Sequence, residues 1–135
     1  MIDKSSEKNE FKLSECSKIL KYHDYFSDSG NKFYSIESGS MDPYFYSEKV
    51  NAFIKDLYAV KFIYSFDYNE WYSGEGKQYF DYPELIAKME LQDLRKIVTA
   101  FVRMERFYSG TIAEMIDKGS IIKILDRLKQ LLQNI

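Results

Sequence analysis

The chain is poor in the residues that most often carry chemistry. Among 135 residues it has one cysteine, Cys16, and one histidine, His23. A lone cysteine excludes an internal disulfide and a cysteine-built metal cluster, and a lone histidine excludes a His-rich zinc or iron site. Two prolines and six glycines are too few for a collagen-like or low-complexity sequence. No apolar run approaches the roughly 20 residues that a membrane-spanning helix needs. No Gly-x-Ser-x-Gly, Walker A or Gly-x-Gly-x-x-Gly string occurs. A Ser-His-Asp set would have to use His23, and its neighbour Asp24 cannot face it from the next position of a helix. His23 therefore reads as an ordinary half-buried residue at a helix end. Gly74-Glu75-Gly76-Lys77 reads as a surface turn, with neither the length nor the following Ser/Thr of a phosphate loop. Asp67 and Glu70 could serve as acid and base, but nothing marks them. No enzymatic activity, no metal and no cofactor are expected.

Charge narrows the classes further. The net charge is −2, which argues against a general nucleic-acid binder and is far too mild for a mimic of DNA. Residues 1–90 carry 11 basic and 16 acidic side chains, and residues 91–135 carry 8 and 5. Solvated helix faces alone could produce that asymmetry. The first ten residues, Met1 to Glu10, are charged and lack an apolar core, so they are no signal peptide. The expectation is a cytoplasmic protein with a frayed N-terminus over 1–10 and a single globular domain over 11–135.

What the chain has is aromatic residues in one half and aliphatic periodicity in the other. Residues 22–82 hold 11 of the 12 tyrosines, 7 of the 10 phenylalanines and the only tryptophan. Helical spacing predicts a helix near 12–23, with Leu13, Cys16, Ile19 and Leu20 on one stripe that His23 could extend. After the turn chemistry of Asp28 to Asn31, 32–37 could be a short strand. Ser47 is placed to cap a helix over 48–60, whose stripe is Val50, Phe53, Ile54, Leu57 and Tyr58. Residues 62–66 alternate like a strand, 67–71 could be a helical turn, and Gly74-Glu75-Gly76 should break any continuation. Asp81 and Pro83 suggest a short helix over 82–88. A longer helix is expected near 91–107, with Phe107 ending its stripe. The next should run near 111–118, with Thr111-x-x-Glu114 as a capping box and Ile112, Met115 and Ile116 inward. Gly119 is a natural left-handed end to it. Ser120 can then cap a helix over 121–133. Short joints force these last three helices together. The fold class is mainly α: an orthogonal bundle of about five helices under a small, irregular, aromatic-rich N-terminal half with room for β structure.

The stretch Val102 to Gly110 is the most distinctive. It holds two of only four arginines, Arg103 and Arg106, in a chain that usually writes positive charge as lysine. They lie three apart, on one face of a helix end, with Glu105 between them. The simpler reading is architectural: the arginines cap the last carbonyls and pair with acids of the N-terminal half. The functional reading is an anion site, in which free N–H groups at the start of the next helix, near Ser109 to Ile112, point at the same corner. The aromatics divide in the same way. Tyr44, Tyr46, Tyr64, Tyr68, Trp71 and Tyr72 could line a cleft or simply fill a thin half-domain. A helix-turn-helix made of the last two helices would bring Lys123, Arg127 and Lys129 to DNA, but its first helix is short and its second is aliphatic throughout.

Arg103-x-Glu105-Arg106-Phe107-x-x-Gly110, then Gly119, then Leu125-x-Arg127-Leu128 resembles the C-terminal half of a family of short bacterial and phage proteins catalogued only as a domain of unknown function. Similar strings stand upstream, at Tyr44-x-Tyr46-Ser47-x-x-Val50-x-x-Phe53 and Phe66-Asp67-Tyr68-x-x-Trp71. The resemblance covers roughly residues 19–132. In that family the position of Met104 is often Gly or another small residue. The resemblance implies a shared fold and carries no activity.

The expected function is non-enzymatic binding or regulation. An aromatic groove and the arginine corner, with Arg103, Glu105, Arg106, Ser109, Gly110, Trp71, Tyr68 and Tyr46 as candidates, would meet a protein partner. The alternative is a nucleotide or other phosphorylated metabolite held at Arg103 and Arg106. An aromatic-rich surface is also compatible with a homodimer.

Overall fold

A computed structural model describes residues 10–133. The N-terminus expected to fray therefore lies, except for Glu10, outside the described residues. The chain is mainly α, as its periodicity implies, with eight α-helical segments and a two-stranded sheet among the described residues.

The first expected helix is broken into three pieces. A 3-10 turn at Leu13–Cys16 runs into α1 (Ser17–Leu20), and α2 (His23–Ser27) follows. The buried residues Cys16, Ile19 and Tyr22 recur every third position. That spacing matches the 3-10 period, and i→i+3 bonds from Glu15 N–H to Lys12 O and from Tyr22 N–H to Ile19 O interrupt the α-helix. His23 is half-buried and meets Asp126 near the other end of the chain, Nε2 to Oδ1 2.6 Å.

Strands β1 (Tyr34–Ile36) and β2 (Tyr44–Tyr46) pair antiparallel, with Tyr34 opposite Tyr46 and Ile36 opposite Tyr44. The first lies within the expected 32–37. The period of two puts Tyr34, Tyr44 and Tyr46 on one face and Phe45 on the other.

Helix α3 (Glu48–Ala59) is capped by Ser47, whose hydroxyl accepts from the Val50 N–H at 3.1 Å. It ends without a glycine. Lys61 takes a left-handed φ of 64°, while Lys61 N–H bonds to Tyr58 O and Phe62 N–H to Leu57 O. This is a Schellman closure with lysine in the glycine position. Residues 62–66 pair with no strand among the described residues, contrary to their alternation. Side chains of a later helix satisfy this backbone instead: the buried Thr99 hydroxyl accepts from Tyr64 N–H, and Arg95 donates to the carbonyls of Phe62 and Lys61.

Asp67 caps α4 (Tyr68–Trp71) by accepting from Glu70 N–H at 3.0 Å. The helix does not break at Gly74-Glu75-Gly76. It widens into a π turn over Tyr72–Gly76 and continues as α5 (Lys77–Asp81). The reason is packing. A Cβ on Gly76 would stand 2.5 Å from the Trp71 ring, so glycine lets the wide turn tuck under the indole. Trp71 also donates to Glu75 at 3.1 Å. The segment expected as a short helix over 82–88 is 3-10 over Pro83–Lys88, and Asp81 does not cap it. Asp81 pairs with Lys77 instead, at 2.7 Å.

Helices α6 (Leu91–Met104), α7 (Thr111–Asp117) and α8 (Ser120–Gln133) form the aliphatic half. Leu94, Ile97, Val98, Phe101, Ile112, Met115, Ile121, Ile124, Leu125 and Leu128 are buried as their spacing requires, in one cluster with Phe26, Phe53 and Trp71. Gly119 ends α7 at φ 77°, the expected left-handed position. Three local expectations are corrected. Helix α6 stops at Met104, leaving Phe107 74% exposed rather than on the core stripe. The Thr111-x-x-Glu114 box does not form: Thr111 donates to Tyr108 O at 2.6 Å and Glu114 pairs with Lys118 at 2.9 Å. Ser120 lies within the first turn of α8, its hydroxyl buried and without a partner, so it caps nothing.

Candidate functional site

The joint between α6 and α7 is built around Glu105, just beyond the last turn of α6. Its Oε2 accepts from Gly110 N–H and its Oε1 from Ile112 N–H, each at 2.8 Å. Tyr46, on β2, donates to Oε1 at 2.8 Å and accepts from Ala113 N–H at 3.1 Å. Thr111 N–H bonds back to Tyr108 O. The donors at the start of α7 are therefore all engaged, and the anion they hold belongs to the chain. Burial, and then the bond to Glu105, push the Tyr46 hydroxyl far above the ordinary tyrosine range.

Two further contacts tie the hairpin to the joint. Tyr34 donates to Asp117 at 2.6 Å, and that bond, followed by desolvation, pushes its pKa up to about 12. Ser109 donates to Asp42 at 2.6 Å. Gly110 has φ 96°, and a Cβ there would stand 2.5 Å from the Tyr44 ring. Only glycine meets both demands.

Here the sequence reading of the corner is corrected. The carbonyls of Phe101, Arg103 and Met104 accept from the backbone N–H groups of residues 105–108, not from arginine. The N–H groups expected to be free for an anion are taken by Glu105 and Tyr46. Arg103 has its Nε buried without a hydrogen-bond partner, with the guanidinium 6.0 Å from the Tyr58 ring centroid. Arg106 is exposed, with no ion pair or side-chain hydrogen bond among the described residues.

A cleft of about 550 Å³ opens between β2, α3 and the joint. Ile54, Val102 and Ile112 give it apolar surface. Tyr46 and Tyr58 also line it, and Arg106 supplies a cation. Phe45, on the same cleft, is 48% exposed. A recess of about 390 Å³ holds Tyr34, Tyr44, Tyr108, Ser109 and Gly110.

A family model of unknown function matches residues 12–134. The chain belongs to this family, DUF6508. No curated protein and no solved structure matches it.

Within this family member, the segments on which the resemblance rested meet in part. Tyr44 and Tyr46 reach Glu105 and Gly110 across more than 50 residues of sequence. Of the candidate residues, Arg106, Glu105 and Tyr46 share the cleft, and Ser109 and Gly110 adjoin it in the recess. Trp71 and Tyr68 are not brought there. Trp71 is only 8% exposed and stacks on Tyr79, rings 5° from parallel, and Tyr68 packs against the core. Tyr64 stacks on Phe66, and Tyr72 meets Phe80 edge-on. The aromatics thus form several separate clusters rather than one platform. Sequence reading missed Tyr34, Asp42 and Asp117. The strand alternation around Tyr34 was the one available signal, and it does not name a partner 83 positions away.

Proposed function

We propose that the chain is a non-enzymatic binding protein whose working surface is the cleft between β2 and the Glu105 joint, and that its ligand is another protein. The observation that carries this reading is a contrast at one corner. Glu105, Tyr46, Ser109 and Asp42 are all satisfied internally, while Arg106 stands exposed beside them with its donors uncommitted among the described residues. Phe45 on the cleft wall is solvent-facing, and so are Phe107 and Tyr108, which follow Arg106 in the joint and are 74% and 67% exposed. Exposed aromatics with an arginine are the composition of energetic centres at protein interfaces. The nucleotide or phosphorylated-metabolite alternative retains Arg106 in the cleft, but neither Arg103 nor the backbone donors that would have grasped a phosphate.

The test is a photo-crosslinking residue introduced at Phe107 in the full chain, in its native cells. A discrete adduct that disappears with Arg106→Glu, at unchanged melting temperature, supports the proposal. Absence of an adduct, or one indifferent to Arg106→Glu, counts against it.

A further inference from the structure

We propose that the cleft takes an extended peptide segment of the partner, added to the outer edge of β2, with an acidic side chain of that segment on Arg106. This rests on the reading of the cleft as a protein-binding surface and specifies what it binds.

The first support is the hairpin's register. Ser47 N–H bonds to Phe33 O and Glu37 N–H to Pro43 O, while Tyr34 faces Tyr46 and Ile36 faces Tyr44. Bonded and non-bonded pairs alternate along an antiparallel ladder. The inward bonds therefore belong to the pairs 33/47, 35/45 and 37/43, and the N–H and C=O groups of Tyr44 and Tyr46 point off the outer edge. The Tyr46 carbonyl accepts from the Asn51 side chain at 3.2 Å. The Tyr44 N–H and C=O bond to nothing among the described residues. An open edge of this kind is a template for one more strand.

The second support is where that edge lies. The cleft is lined by Tyr44, Phe45 and Tyr46 of β2 and by no residue of β1. A strand laid along the edge would run over Ile54 and Tyr58, which can receive an apolar side chain.

The third is charge. Three charged side chains line the cleft: Asp42, Glu105 and Arg106. Both acids accept internal hydrogen bonds, which leaves Arg106 to select its opposite. A guanidinium can hold a carboxylate through two parallel bonds. The recognised sequence is thus an extended stretch with an acidic residue and a large apolar one.

The experiment uses the full chain as bait for a library of random linear peptides, with the enriched sequences then synthesised. The expected result is a consensus containing Asp or Glu near an aliphatic or aromatic residue. Arg106→Ala should weaken binding roughly tenfold or more, and Arg106→Glu should turn the preference to Lys or Arg. Methylating alternate peptide amides should abolish binding in one phase and spare it in the other. A consensus without an acid, binding indifferent to Arg106→Ala, or no enrichment would overturn the inference. Peptides that protect the Tyr72 side of the molecule would overturn it too, yet leave the protein-binding reading standing. That reading falls on the cross-linking result.

Discussion

The Tyr46 hydroxyl stands 2.8 Å from Glu105 Oε1, and 59 residues of chain separate the two. With the bonds of Tyr34 to Asp117 and Ser109 to Asp42, it joins the hairpin to the aliphatic bundle. Because the same carboxylate holds Gly110 and Ile112 N–H, it also sets where α7 begins. Glu105 acts as the cap that neither Gly110 nor Thr111 provides, since a helix start leaves donors that something must accept. The hairpin, the joint and α7 consequently form one hydrogen-bonded unit beside the cleft.

Removing that carboxylate should therefore cost more than an ordinary half-buried glutamate. Glu105→Ala leaves two backbone N–H groups and one phenol without an acceptor, a loss on the order of 3 kcal/mol. Glu105→Gln keeps one acceptor oxygen but turns an NH2 group toward donors, and should lose about half as much. Tyr46→Phe removes a partner of both Glu105 and Ala113 N–H. A double-mutant cycle between Glu105 and Tyr46 in urea should give a coupling of about 1 kcal/mol or more. Additive effects would show that the bond does not join the two halves.

The tyrosines also set an upper pH limit. Burial, then the bond to Asp56, pushes Tyr22 up to about 12. Tyr34 reaches about 12 through Asp117, and Tyr46 is displaced further in the same direction. An unfolded tyrosine titrates near 10. Between about pH 10 and 12 the unfolded chain has lost these protons while the folded chain keeps them, so stability falls as pH rises. The contribution is fully present below about pH 10. Urea midpoints from pH 9 to 12 should decline, and the decline should be shallower in Tyr22→Phe and Tyr34→Phe than in wild type. The comparison with the variants isolates the tyrosine contribution and is decisive. Identical slopes would mean these hydroxyls do not keep their protons in the fold.

Much of the aliphatic half was legible because its signals are local. The stripes of α6 and α8 are set by one helix period, and Ser47 and Gly119 sit where a cap and a left-handed end belong. The misreadings share a different cause, which is satisfaction from a distance. Residues 62–66 alternate like a strand, but their backbone is held by Thr99 and Arg95 of α6. Gly74 and Gly76 look like breakers, yet Gly76 is small because Trp71 lies over it. Lys61 occupies a left-handed position that glycine usually marks. At the corner, sequence drew attention to the arginines for their rarity. Glu105, the residue that organises it, has a common side chain and partners that only the fold supplies.

Arg95, Arg106 and Arg127 should differ sharply when replaced. Arg95 lies between the Tyr64 and Phe11 rings, 4.5 and 4.7 Å from their centroids. It also donates to Lys61 O at 2.8 Å and Phe62 O at 3.2 Å, holding the left-handed end of α3. Arg127 donates to Met89 O at 2.7 Å, where the 3-10 segment ends. Arg106 makes no such bond among the described residues. Arg95→Ala should lose on the order of 2–3 kcal/mol. Arg95→Lys should recover little, because an ammonium cannot both stack between rings and span two carbonyls. Arg106→Ala should stay within about 0.5 kcal/mol of wild type. Melting temperatures of the three variants test the ranking. A shift for Arg106→Ala as large as that for Arg95→Ala would mean that Arg106 braces the fold, and the cation available to a partner would be gone.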